Sequence, residues 1–311
     1  MNAGALPSFD RRALSRALTR ASRMSVDELL RTRASGAQPA PRIGITGAPG
    51  VGKSSLIARL ARVRAQKAWP LAVVAVDPTS PDSCGSLLGD RIRMEDLADD
   101  PRVFVRSIPS GGTRDGLADN LPDVLSTLDA FGFAEIVVET VGVGQAEFGV
   151  RELVDVEVLL LMPGLGDSIQ AMKAGILETA DLIVVNKADL DGARRMALEL
   201  KSTLAQRRTA AAPRIVLAKA GDDAGLLELD ALLDDALREA FARRPADARR
   251  RRFARYRLQR LVARRLELAF AGLPESRFDA PPEEIYEEIL ATMARGHRGP
   301  GRAPGQPEEE S

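Results

Sequence analysis

Eight residues, GAPGVGKS at Gly47–Ser54, constrain this chain's fold more than any other feature in it. They match G-x-x-x-x-G-K-[ST]. The apolar run RIGIT precedes them, and KSSLIARLARVRAQKA, apolar at helical spacing, follows. Such a turn works only between a strand and a helix. Its glycines let backbone N–H groups close around phosphate oxygens, and the helix N-terminus adds the positive end of its dipole. The backbone of Gly47, Ala48, Pro49, Gly50, Val51, Gly52, Lys53, Ser54 and Ser55 is therefore expected to cradle a nucleotide's phosphates. Lys53 is placed to reach the β- and γ-phosphates, and the Ser54 hydroxyl to ligate Mg2+.

The segments after this turn repeat its alternation. LAVVAVD (71–77), RVFVRSI (102–108), EIVVET (135–140), VEVLLLM (156–162), DLIVVNK (181–187) and RIVLA (214–218) are short, apolar and rich in β-branched residues. Continuous apolar runs of this kind are what a parallel sheet covered on both faces requires. Helical patterns lie between them. The expected fold is α/β: a doubly wound, mostly parallel sheet forming a P-loop domain, with N-terminal helices and a C-terminal helical arm. The expected boundaries are an N-terminal helical segment at 1–40, the P-loop domain at 41–235, the arm at 236–295 and a disordered tail at 296–311. Ser25 followed by Asp27 and Glu28 reads as a helix start. Leu258, Leu261, Val262 and Leu266 form an apolar stripe in the arm. The run Arg249–Arg252 reads as the solvated face of a helix.

Composition removes several classes of function. Basic and acidic residues both total 44, so the formal net charge is zero, which argues against a dedicated nucleic-acid binder. No apolar run approaches the roughly 20 residues of a membrane span. The start lacks the apolar core of a signal peptide, and a cytoplasmic setting is expected. One cysteine, Cys84, and one histidine, His297, exclude a disulfide within the chain and leave little for a soft-metal site.

Two further motifs specify the nucleotide. NKAD, Asn186–Asp189, follows the run DLIVV. The Asp189 carboxylate can accept from the N1–H and exocyclic amine of guanine, whereas adenine offers no such donor pair. The Lys187 stem can cover the base. Asp77, Asp90 and Glu139 are acids placed to serve a cation beside the P-loop. Glu139 opens ETVGVGQAEFG, which resembles a phosphate-sensing switch loop. There Glu139 would reach the cation from one methylene further back than Asp, and Val143 cannot orient an attacking water.

GITGAPGVGKSSL, VDPTSPDSCGSLLGDRIRM, ETVGVGQAE, PGLGDSIQAMKAGI and NKADL together resemble the MeaB/ArgK-type GTPases, and the likeness runs over nearly the whole chain. That resemblance implies a GTP-binding, GTP-hydrolysing chaperone that gates cofactor loading and protects or reactivates an adenosylcobalamin-dependent acyl-CoA mutase, chiefly methylmalonyl-CoA mutase. It implies GTP/GDP and Mg2+ as ligands, cobalamin only through the partner mutase, and a homodimer formed through the arm. No membrane or nucleic-acid partner is implied. It assigns Asp77, Asp90 and Glu139 to the magnesium, Gly142 to the γ-phosphate, and Asp167, Gln170 and Lys173 to a third switch loop that signals to the mutase. Lys53, Glu139 and Lys173 become the catalytic candidates, with Arg93 a second source of positive charge. The family pattern is altered at Ala174, where a lysine is usual, and at Lys219, where a serine is usual. Ala220 keeps its N–H for the guanine oxygen. The alternatives are an ATP- or GTP-dependent kinase-like accessory of amino-acid (arginine/ornithine) transport and a metal-insertion GTPase.

Overall fold

The computed structural model describes residues 9–32, 37–77, 97, 99–110, 118, 120–140, 146–164, 176–206 and 213–295. Seven parallel strands form one sheet: β1 (Arg42–Gly47), β2 (Leu71–Asp77), β3 (Val103–Pro109), β4 (Glu135–Glu139), β5 (Val156–Leu161), β6 (Leu182–Val185) and β7 (Arg214–Leu217). Their order is β3-β2-β4-β1-β5-β6-β7, with β1 at the centre. Each strand lies within about two residues of its apolar run in the sequence, and the sheet is doubly wound as expected.

Among the described residues the α-helices are α1 (Arg11–Arg23), α2 (Val26–Arg31), α3 (Lys53–Arg64), α4 (Leu121–Ala130), α5 (Ala146–Leu153), α6 (Ile176–Thr179), α7 (Ala193–Gln206), α8 (Asp223–Arg243), α9 (Ala246–Ala271) and α10 (Pro282–Arg295). Alternation along the strands sorts the core into layers. Ile43, Ile45, Val73, Val158, Leu160 and Val184 face one way, onto Leu56, Ile57 and Leu60 of α3 and Leu229 and Leu233 of α8. Ala72, Val74, Ile136 and Val138 face the other way, onto Leu14 and Leu18 of α1, Leu125 and Leu128 of α4, and Val150 of α5. Leu159, Leu161, Ile183 and Val185 meet Met196 and Leu200 of α7. Gly44 faces the second layer, and a Cβ there would stand 3.1 Å from a Val154 methyl, so its bareness lets the end of α5 approach β1.

The contacts divide the chain into two units, one of residues 1–23 and 34–257, the other of 24–33 and 258–311. The sheet belongs to the first, and the division falls inside α9. In the second unit, Ser25 caps α2 as the sequence indicates. Its side chain accepts from the Glu28 N–H, while Glu28 Oε2 accepts from the Ser25 N–H at 2.7 Å. Ala269, Ile285 and Ile289 form that unit's small core. The stripe on α9 is split: Leu261 is buried, whereas Leu258, Val262, Leu266 and Phe270, spaced four apart, are exposed.

The basic run is not simply a solvated face. Arg249 Nη2 lies 2.6 Å from Asp155 Oδ2 and also donates to the Ala40 carbonyl. Arg252 donates to the Val154 carbonyl. Arg250 and Arg251 are exposed. Arg42 on β1 is fully enclosed at the same end of the sheet, with its guanidinium 4.2 Å from the Phe253 ring centroid and 2.5 Å from Asp129 Oδ2. Burial is the largest influence on both partners: it raises the Asp129 carboxyl and lowers the Arg42 guanidinium from their ordinary values, each opposed by the other's charge.

Candidate nucleotide site

Because every strand pairing is parallel, the carboxyl ends of β1, β2, β4, β6 and β7 share one edge. The sequence candidates hang from those ends, and a parallel sheet collects its ligands at this edge. β1 ends at Gly47 and α3 starts at Lys53, so the P-loop occupies the turn between them. Gly52 caps α3 with φ +98°, and a Cβ on it would stand 2.6 Å from Asn186 Nδ2. A Cβ at Gly47 would stand 2.5 Å from the Leu160 carbonyl oxygen. Both positions demand glycine, for a positive φ, +150° at Gly47 and +98° at Gly52, and for space.

Lys53 curls over the loop it follows, its ammonium donating to the carbonyls of Gly47 at 2.7 Å and Ala48 at 3.2 Å. Ser54, one residue into α3, donates its hydroxyl to Glu139 Oε1 at 3.0 Å. Glu139 closes β4 beside β1, in register with Ile45 on one side and Ala75 on the other. Its additional methylene, relative to Asp, is what carries the carboxylate to Ser54. Asp77 ends the next strand two residues past Ala75, and its side chain is buried. Thr140 follows Glu139. Its hydroxyl is buried without a hydrogen-bond partner among the described residues.

The donor set fits a hard cation. Ser54 and Glu139 offer a hydroxyl and a carboxylate already in contact. No cluster of three His, Cys, Asp or Glu side chains exists among the described residues to form an all-protein cage. Mg2+ is usually held in this way, by one or two protein oxygens with phosphates and waters completing the shell.

The second loop of the site is bonded to the first. Asn186 follows β6, and its side-chain amide donates to the Val51 carbonyl at 2.8 Å. Lys187, at φ +53°, donates through Nζ to the Gly50 carbonyl at 3.0 Å. The NKAD turn thus rests on the outer carbonyls of the phosphate loop, and Asp189 beyond it is exposed. Ala188 N–H donates to the Ala218 carbonyl, and Ala218 N–H to Val185, which brings the turn after β7 alongside. Lys219 and Ala220 in that turn are exposed.

Arg59, absent from the sequence candidates, fixes this third loop. From α3 it donates to the carbonyls of Lys219 at 3.1 Å and Asp222 at 2.7 Å, and to Asp223 Oδ1 at 2.8 Å. Nothing in KSSLIARLARVR distinguishes Arg59 from its neighbours, because its partners lie some 160 residues away. The structure therefore brings the P-loop, Glu139, NKAD and the 219–222 turn together. Asp90, Gly142, Val143, Asp167, Gln170, Lys173, Ala174 and Arg93 lie outside the described residues, as do Cys84 and His297.

A family profile described as "Methylmalonyl Co-A mutase-associated GTPase MeaB" matches residues 12–273. The chain belongs to the MeaB family. The family is one of P-loop GTPases of the MeaB/ArgK type. A Mycobacterium tuberculosis relative, named a GTPase, is 39% identical over 239 residues, 73% of this chain and 71% of that protein. A Pyrococcus abyssi relative, likewise named a GTPase, is 48% identical over 162 residues, 52% of this chain and 50% of that protein. The chain thus spans about half the length of the latter. The crystal structure of a LAO/AO transport system kinase overlays with a TM-score of 0.55, covering 91% of this chain and 98% of that one. At 22% identity this likeness speaks for the fold alone.

Proposed function

We propose that this MeaB-family chain binds GTP with Mg2+, hydrolyses it slowly, and uses the cycle as a chaperone of an adenosylcobalamin-dependent acyl-CoA mutase, with methylmalonyl-CoA mutase the first choice. The observation that carries the nucleotide reading is the pair of bonds from Asn186 and Lys187 onto the Val51 and Gly50 carbonyls. They make the phosphate loop and the base-reading loop one body, so both ends of a nucleotide meet a preorganised surface. The mutase as partner is supported by the family's description.

In this reading the P-loop N–H groups hold the β- and γ-phosphates, and Lys53 exchanges its loop carbonyls for phosphate oxygens. Asp189 accepts from the guanine N1–H and amine, with the Ala220 N–H placed for the guanine oxygen. Ser54 and Glu139 hold the magnesium, which neutralises charge on the phosphates when bound. Asp77 would be a further ligand, direct or through water. Val143 has no group that could orient an attacking water, and an added orienting or cationic group is worth several orders of magnitude in phosphoryl transfer, roughly 10^3–10^5. Slow basal turnover with stimulation by a partner follows. The exposed line Leu258, Val262, Leu266 and Phe270 supports self-association through the arm.

The test is GTP hydrolysis by the purified chain, with ATP as control, alone and with each adenosylcobalamin-dependent acyl-CoA mutase of its source organism. Slow GTP turnover accelerated by a mutase and absent with ATP is expected. Turnover indifferent to every such mutase would overturn the chaperone reading and leave the nucleotide site standing.

A further inference from the structure

The opposite edge of the sheet carries a second concentration of charge that the nucleotide site does not use. A cavity of about 200 Å³ opens at the amino ends of β6 and β7. Arg151 from α5, Arg214 at the start of β7, and Arg243 and Arg244 at the end of α8 line it, against only two carboxylates, Asp181 and Glu239.

Those carboxylates are largely committed. Asp181 takes both terminal nitrogens of Arg151 and also accepts from the Glu157 N–H at 2.9 Å. Glu239 accepts from Arg214 at 3.1 Å. Arg243 stands 3.8 Å from Asp181 and 3.7 Å from Glu239, near enough for attraction and too far for a hydrogen bond. The Arg244 guanidinium has no hydrogen bond or ion pair among the described residues. Its charge is felt nearby: the neighbouring Arg252 is lowered from its ordinary value, first by burial and then by Arg244. Asp235 lies 3.5 Å from Arg214 and Glu157 3.9 Å from Arg151, so the acids around the cavity are turned to those two arginines, and the adjacent Arg243 and Arg244 guanidiniums face the cavity with unspent donors.

We propose that this cavity is an anion site that takes the phosphate group of a small molecule, with Arg243 and Arg244 as its principal donors and Arg214 as support. The planar fork of a guanidinium matches phosphate oxygens, and two of them converge here. The volume is below the roughly 300–1,000 Å³ of pockets that enclose whole ligands, so it fits a phosphate headgroup with the remainder in solvent. The competing account is that Arg243 and Arg244 merely complement the carboxyl end of α8, where cations are favoured in any case.

The experiment uses the full chain saturated with GDP and Mg2+, so that the P-loop is filled, with 15N-labelled arginine. Inorganic phosphate and glycerol 3-phosphate are titrated against chloride at matched ionic strength, following the Nε–H resonances assigned from single Arg→Gln variants. The expected result is a saturable shift at Arg243 and Arg244 with both phosphates and none with chloride. The Arg243→Gln/Arg244→Gln double variant is expected to raise the phosphate Kd at least tenfold with GDP affinity unchanged. Equal responses to phosphate and chloride in the wild type would overturn the proposal whatever the variant does. So would a folded double variant that binds phosphate as the wild type does.

Discussion

Replacing Gly52 by alanine tests the joint between the two nucleotide loops. Two costs are expected. Alanine at φ +98° is strained by about 1–2 kcal/mol. Its Cβ would also stand 2.6 Å from Asn186 Nδ2, whose side chain is held by its 2.8 Å bond to Val51 in a buried setting. Displacing it leaves a buried amide and a buried carbonyl unpaired, adding about 1–3 kcal/mol. Gly50 is the internal control. Its φ is +79°, but nothing lies within 4 Å of a Cβ there, so Gly50→Ala carries only the strain. Thermal unfolding without nucleotide reads the difference, at roughly 2–4 °C per kcal/mol for a domain of this size. Gly52→Ala should melt well below Gly50→Ala. In an Asn186→Ala background its cost should fall to that of Gly50→Ala. Equal costs in the two glycine variants, or a Gly52→Ala cost unchanged by Asn186→Ala, would refute the reasoning.

Three further outcomes are expected. Arg64 is enclosed and bonded to both oxygens of Glu135 and to Asp230, so Arg64→Ala should cost about 3–5 kcal/mol in denaturant unfolding by stranding Glu135. Replacing Arg64 and Glu135 together by leucine should cost less than that single change. Arg59→Ala should weaken GDP binding by about tenfold, near 1.4 kcal/mol, by releasing the 219–222 turn. Arg59→Lys should not restore it, because one ammonium cannot span the same three acceptors. Asp100 is held below its ordinary value of 3.8, chiefly by its hydrogen bonds to Arg102. A depressed folded value means stability present above the unfolded value and lost as pH falls through the folded one. The melting-temperature gap between wild type and Asp100→Asn should therefore be flat from neutral pH down to about 4, and close below it.

The sheet was legible because buried parallel strands leave continuous apolar runs, and LAVVAVD, EIVVET and VEVLLLM have no other plausible use. The P-loop was legible because phosphate binding fixes glycine, lysine and serine at rigid spacing. What escaped depends on contacts between distant segments. Arg59, Arg62 and Arg64 look alike in one basic helix, yet Arg59 clamps a loop and Arg64 is buried in an ionic network. Arg249–Arg252 read as a solvated face because a helical pattern shows phase but not what stands opposite, here Asp155 and the Val154 carbonyl. NKAD announced a base-reading loop, but not that Asn186 and Lys187 would also be bonded to the P-loop. The glutamate at 139, one methylene longer than an aspartate, had a legible consequence, a longer reach, and the structure gives its destination as Ser54.

The most direct test of the central claim is a calorimetric titration of the purified chain with GDP and with ADP in the presence of Mg2+. A site built from Asp189, the Ala220 N–H and the P-loop should bind GDP at least a hundredfold more tightly than ADP, since adenine leaves the carboxylate unanswered. Equal affinity for the two would contradict the account, and would show that these loops hold phosphates without reading the base.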